Sequence, residues 1–169
     1  MLGKTYDGQI CSIARSLEIV GERWTLLILR DAIFAGVTRY GDFQHNLGIA
    51  TNILKTRLAT LVETGLMTRD DAGDYRPTAK AQGLRPALIA LTEWGDTWFA
   101  PDGRPIDYLH ADCGEPVHLE SRCEQHGTIP PDDVVVRPGP GMPAEYLAAR
   151  RGTAVRVPPS TSRRIGSKR

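Results

Sequence analysis

Between residues 9 and 99, apolar side chains recur every three or four positions, the spacing of helices that bury one face. Over QICSIARSLEIV, residues 9–20, Ile10, Ile13, Leu17 and Val20 share a face, and Gly21 ends the element. ERWTLLILRDAIFA, residues 22–35, is apolar on most sides through Trp24, Leu27, Ile28, Ile33 and Phe34. Such a pattern predicts the central, buried helix of a small domain. After a polar break at Gly36, Thr38 and Arg39, YGDFQHNL predicts a short helix with Tyr40, Phe43 and Leu47 turned inward. Gly48-Ile49 makes a tight turn. The next helix carries Leu54, Leu58, Leu61 and Val62 at i, i+4, i+7 and i+8 and ends at Gly65. Short helix, glycine turn and amphipathic helix is the order of a helix-turn-helix.

At 100° per residue, Asn52, Lys55, Thr56, Ala59 and Glu63 fall opposite the apolar stripe. Short polar side chains, one cation and an alanine permit close approach to a large partner, and the first half of such a helix is the end offered to base edges. Two short extended runs, Leu66–Arg69 and Tyr75–Pro77, flank an Asp/Gly loop and predict a hairpin that carries Arg69 and Arg76 towards a phosphate backbone. Thr78 then caps a helix expected to run to Phe99, kinked at Pro86. Its seam of Leu84, Leu88, Leu91, Trp94 and Trp98 is more apolar surface than a hairpin covers, so a homodimer seam with the first helix is expected.

Composition narrows the class. The 169 residues are 41% hydrophobic, enough for a core, and no apolar run approaches the ~20 residues of a membrane helix. The N-terminus lacks the apolar segment of a secretory signal, and an odd count of three cysteines disfavours a disulfide framework, so a cytoplasmic protein is expected. The net charge of +1 hides an asymmetry: from Arg137 to Arg169 eight Lys/Arg face one acid, Glu145, a local +7, which leaves −6 on residues 1–136. Nucleic-acid affinity would therefore come from local patches. No glycine-rich phosphate loop or nucleophile motif points to an enzyme.

The ordered set Cys11, Ala14, Leu17, Gly21, the run Arg23–Arg30, Arg39–Phe43, Gly48–Ala50, Leu54, Arg57-Leu58, Gly65-Leu66, Tyr75, Thr78, Gly83 and Trp94 resembles the HxlR-type transcriptional regulators. These are relatives of the MarR group with a winged helix-turn-helix. The resemblance covers half the chain, and it implies a dimeric repressor or activator that binds double-stranded DNA with the second helix of the motif in the major groove. Two departures stand out. The hairpin is shorter than usual in the family and carries Asp70, Asp71 and Asp74, which weakens the expected wing contact. Ala50 stands where many members have Ser, a cap loss of ~1 kcal/mol unless Thr51 takes over.

The expected DNA-contacting residues are Arg39, Thr51, Asn52, Lys55, Thr56, Arg57, Arg69 and Arg76, with Asn52, Lys55 and Thr56 as base readers. Arg57, on the flank of the apolar stripe, either reaches a phosphate or pairs internally. Cys11 opens the first helix. In some family members a cysteine there senses oxidants, quinones or aldehydes, and a helix N-terminus stabilises a thiolate; inert packing is the other role open to it. A second motif lies in HADCGEPVHLESRCEQHG, residues 110–127: His110-x2-Cys113-Gly and Cys123-x2-His126-Gly are mirrored half-sites. Four such ligands suit a structural zinc, with His118 a spare ligand; otherwise the thiols are bystanders on a packed appendage. Val117–Ser121 and Val134–Arg137 are expected strands of that appendage.

Together these features predict a mainly α fold with small β (α+β). Residues 1–100 form the winged helix-turn-helix and dimerisation domain, 101–141 a small β appendage, and 142–169 a basic, largely disordered tail that attracts DNA or solubilises. The expected function is a homodimeric regulator of a palindromic operator, controlled by a small-molecule effector or a thiol-reactive signal. A winged-helix protein-interaction module is the alternative.

Overall fold

Helix α2, Arg23–Phe34, is the post against which the other elements pack, because its apolar residues leave it almost no solvent face. Ile28 and Leu29 are fully buried, and Thr25, Asp31, Ala32 and Ile33 nearly so. Glu22 caps it by accepting a hydrogen bond from the Trp24 N–H at 3.0 Å. The computed structural model describes residues 5–149; the Arg/Ser/Pro tail expected to be disordered lies, from residue 150 on, outside the described residues.

Around this post stand α1 (Ser12–Val20), α3 (Tyr40–Leu47), α4 (Thr51–Glu63), the antiparallel pair β1 (Met67–Arg69) and β2 (Tyr75–Pro77), α5 (Ala79–Gln82) and α6 (Arg85–Phe99). The hairpin pairs Met67 with Pro77 and Arg69 with Tyr75. Phe43, Leu54, Leu58, Leu61 and Met67 complete the fully buried core, each contributing roughly 1.5–3 kcal/mol. The mainly α, winged helix-turn-helix architecture is the one expected.

The structure differs from the sequence reading in several places. Val62 was expected in the buried stripe but is 37% exposed. The helix expected over residues 78–99 is two helices: Thr78 caps α5 through the Ala81 N–H, the chain breaks at Gly83-Leu84, and Pro86 lies in the first turn of α6. There its missing N–H costs no hydrogen bond, so it starts a helix instead of kinking one. The chain divides into two compact units at 119/120. The segment after α6 belongs to the helical unit because Tyr108 packs edge-on to Phe34, ring centroids 4.9 Å apart, with its hydroxyl 3.2 Å from Thr92 Oγ1. Finally, of the two strands expected in the appendage, Val134–Arg137 forms none and Val117–Ser121 is paired as a strand only at Ser121. The second unit's sheet is instead β3 (Ser121–Cys123) against β4 (Gly127–Ile129), while Leu109 and Pro116 form a single bridge in the first. Helix α7, Ala144–Ala149, follows.

Apolar side chains on two of the helices stay uncovered. Ile10, Ile13 and Leu17 of the α1 region, with Leu91, Trp94 and Trp98 of α6, are each at least 44% exposed in the single chain. Among the described residues no helix is long and apolar enough to cross a membrane.

Candidate nucleic-acid interface

The turn between α3 and α4 sets the interface. Gly48 adopts φ +60°, a left-handed conformation that glycine enters without a Cβ clash, and its N–H closes α3 onto the Gln44 carbonyl at 3.0 Å. Ile49, 2% exposed, anchors the turn in the core. Two bonds then clamp the start of α4 to α3. Tyr40 Oη donates to the Thr51 carbonyl at 2.7 Å, and Gln44 Nε2 donates to Thr51 Oγ1 at 2.8 Å. Thr51 does not replace the missing cap, because its hydroxyl is turned to Gln44. Ala50 offers no side-chain acceptor, so the first amides of α4 are left to solvent or to an anion. The clamp was not legible in the sequence, where Tyr40 read only as an inward apolar residue.

Leu54, Leu58 and Leu61 hold α4 to the core, so Asn52, Lys55, Thr56, Ala59 and Glu63 are all exposed on its other side. Thr56 Oγ1 donates to the Asn52 carbonyl at 2.9 Å, which leaves its methyl and lone pairs facing outward. Lys55 and Arg39 have no ion-pair partner among the described residues. Arg57 lies 3.0 Å from Glu22 Oε2, a charge contact in which the N–H does not point along the line to the oxygen. Of the two roles open to Arg57, the structure displays the internal pair.

A groove of about 390 Å³ runs between the outer edge of α4 and the hairpin, lined by Lys55, Ala59, Val62, Glu63, Arg69 and Tyr75. Val62 is exposed because it floors this groove. Arg69 stacks over the Tyr75 ring, 5.5 Å from its centroid, and has no acid partner among the described residues. Arg76 is tied to Asp70 at 3.4 Å and to Asp74 at 3.8 Å. The Asp74 N–H, and after it Arg76, holds the Asp70 carboxyl below the usual carboxylate range. The wing therefore offers one cation, Arg69, and spends the other on its own acids.

The cysteines stand apart from this face. Cys11 is the N-cap residue of α1 and is partly buried. His110 Nδ1 lies 3.2 Å from Cys113 Sγ in the first unit, and His126 Nδ1 lies 3.4 Å from Cys123 Sγ in the second. Two ligands of one tetrahedral zinc, at roughly 2.0 and 2.3 Å from it, stand about 3.5 Å apart, so each pair has the spacing of half a site. Among the described residues, however, no three His, Cys, Asp or Glu gather where they could hold a metal ion. The Gln125 N–H, then the His126 imidazole and N–H, lower the Cys123 thiol to about 7.

Comparison with known proteins gives the same picture of the helical part. A family model described as HxlR-like helix-turn-helix matches residues 19–103. The chain is 41% identical over 156 residues to the HTH-type transcriptional regulator Rv3095 of Mycobacterium tuberculosis, itself uncharacterized, covering 88% of this chain and 97% of that one. The match thus continues beyond the family model into the segment with the Cys–His pairs. Among solved structures, PA1607, described as a candidate transcription factor, superposes with a TM-score of 0.68 at 40% identity, over 76% of this chain and 94% of that one. PA1374 of Pseudomonas aeruginosa, described likewise, gives 0.59 at 38% identity, over 82% and 99%.

Proposed function

The chain belongs to the HxlR-like helix-turn-helix family of transcriptional regulators, and from that premise we propose that it binds a palindromic DNA operator as a homodimer through α4. The observation that carries this reading is the exposed face of α4. Asn52, Lys55 and Thr56 lie clear of every ion pair on a helix locked to the core from behind, and such a face fits the major groove. Thr51 and the uncapped amides beside it, with Arg39 at the start of α3, supply phosphate contacts. Arg69 adds a contact from the wing. Arg76 and Arg57 join only by leaving their acids, and their contribution is smaller. The uncovered α1 and α6 face is the dimer seam.

The test is binding to duplexes from the gene's own upstream region against random duplex, as a function of salt. Lys55→Ala and Asn52→Ala should each cost about 1–3 kcal/mol on the specific site and much less on random DNA. Equal losses on both would remove them as base readers, and no salt-dependent binding at all would favour the protein-interaction module, for which the acid-rich wing speaks.

Control by a signal completes the proposal, through a small molecule or through Cys11. A Cys11→Ser protein whose DNA affinity no longer responds to peroxide or quinone, beside a responsive wild type, supports the thiol route; an unresponsive wild type ends it. For His110, Cys113, Cys123 and His126, zinc is a proposal from sequence spacing, supported by the pre-formed pairs and opposed by the lack of a larger cluster. Metal analysis of protein purified without chelator decides it. About one zinc per chain supports it, and a value near zero ends it.

A further inference from the structure

Behind the winged helix, a cleft of about 390 Å³ opens between α6 and the segment 104–118. Its volume is within the roughly 300–1,000 Å³ of small-molecule sites. The α6 side is one helical face: Thr92, Glu93, Asp96 and Thr97 recur at i, i+1, i+4 and i+5. Opposite stand Ile106, Tyr108, Pro116 and Val117, an apolar wall, with Arg104 and Asp107 at the rim.

The charges in this cleft do not balance. Arg104 is engaged by Asp107 at 3.4 Å, and Glu93 meets only the His118 imidazole, at 3.3 Å. The Asp96 carboxylate has no hydrogen-bond or ion-pair partner among the described residues. Three carboxylates therefore face one permanent cation, beside a wall with nothing polar to offer except the Tyr108 hydroxyl. A cation completes such a site. A bare metal ion does not fit, because no three acidic or imidazole ligands converge. An organic cation does, with its ammonium group at Asp96 and Glu93 and its body on Ile106 and Val117.

We propose that this cleft is the effector site and that its ligand is a small amphipathic amine, an ammonium group on an aromatic or aliphatic body. Two features of the fold support a regulatory role. Leu91, Trp94 and Trp98, the α6 side chains assigned to the dimer seam, lie on the opposite side of the helix from Glu93 and Asp96, so the cleft stays open in a dimer. The wall also connects to the DNA-binding body. Tyr108 packs edge-on to Phe34, the last residue of α2, and the Arg85 guanidinium sits 4.9 Å from the centroid of the same Phe34 ring while donating to the Ile33 carbonyl at 3.0 Å. An occupant pressing on Tyr108 therefore acts on the end of the helix that backs α4.

The assignment rests on the regulator reading only for its consequence, so binding is measured first without DNA. Full-length protein is titrated calorimetrically with phenethylamine and tyramine, and with 2-phenylethanol and phenylacetate as neutral and anionic counterparts. Saturable one-site binding of an amine is expected, about tenfold or more weaker for the counterparts and for Asp96→Asn. Thr97→Trp, which fills the mouth without touching the core, should abolish it at an unchanged melting temperature. The bound amine should then shift operator affinity at least about threefold, a change that Asp96→Asn loses at the same amine concentration. No saturable binding of either amine up to roughly 10 mM, or binding that both variants retain, overturns the cleft as a site. Binding that leaves operator affinity unchanged overturns its role as the effector site. A protein that binds no duplex fails the regulator reading alone, and the calorimetry still decides the cleft.

Discussion

Replacing Tyr40 by Phe removes one oxygen and tests whether the α3–α4 clamp positions α4, the helix proposed to read DNA. The lost bond, Tyr40 Oη to the Thr51 carbonyl at 2.7 Å, is solvent-accessible, so water takes its place and the net cost is at the low end for a hydrogen bond, about 0.5–1 kcal/mol. Thermal unfolding should show this as a fall of roughly 2–5 °C in Tm. The consequence for DNA has an upper bound. If the bond does nothing but hold α4 in its binding orientation, its loss cannot cost binding more than the clamp was worth. For a complex with two protomers that is about 1–2 kcal/mol, roughly five- to thirtyfold in affinity. Gln44→Ala removes the companion bond at 2.8 Å and should behave alike. Because both bonds end on Thr51, the double variant should lose less than the sum of the two. The assay is fluorescence anisotropy on a specific and a random duplex. An unchanged Tm with unchanged specific affinity would refute the clamp. A loss well above thirtyfold would show that Tyr40 touches DNA itself.

Leu58→Ala should destabilise the fold by about 2–5 kcal/mol in urea unfolding, since Leu58 is fully buried, whereas Val62→Ala, at the floor of the groove, should cost under about 1 kcal/mol. The Asp70 carboxyl is held low by the Asp74 N–H and by Arg76, so the order it gives the wing loop is present above the ordinary carboxylate range and is lost as pH falls through the lowered value. Hydrogen exchange should show the Asp74 amide losing protection only in that acid range, and Asp70→Asn should reproduce the loss at neutral pH. Trp94→Asp places a charge in the proposed seam, and light scattering at micromolar concentration should fall from about twice the 18.6 kDa chain mass to one chain. A wild type that is already monomeric would remove the palindrome from the proposal.

The order of the helices, the Gly48 turn and the split of α4 into a buried and an outward face were all legible in the residue pattern, because helical spacing alone decides which side chains share a side. So were the hairpin and the approximate end of α6. Contacts between elements were not legible. No periodicity tells that Thr51 turns from its own helix end to Gln44, that Arg57 settles on Glu22, or that Arg76 is neutralised inside its own hairpin. The sequence shows Pro86 inside an apolar run, but only the break at Gly83-Leu84 makes it a helix start. Val134–Val136 has strand composition yet stays unpaired, because a strand needs a partner edge and the described residues offer it none. The cleft proposed as the effector site belongs to the same class. Asp96 and Val117 are ordinary residues in sequence, and only the packing of Tyr108 on Phe34, which draws the segment after α6 back against that helix, turns them into two sides of one site. Local pattern fixes which face a side chain is on, and long-range packing decides what it meets there.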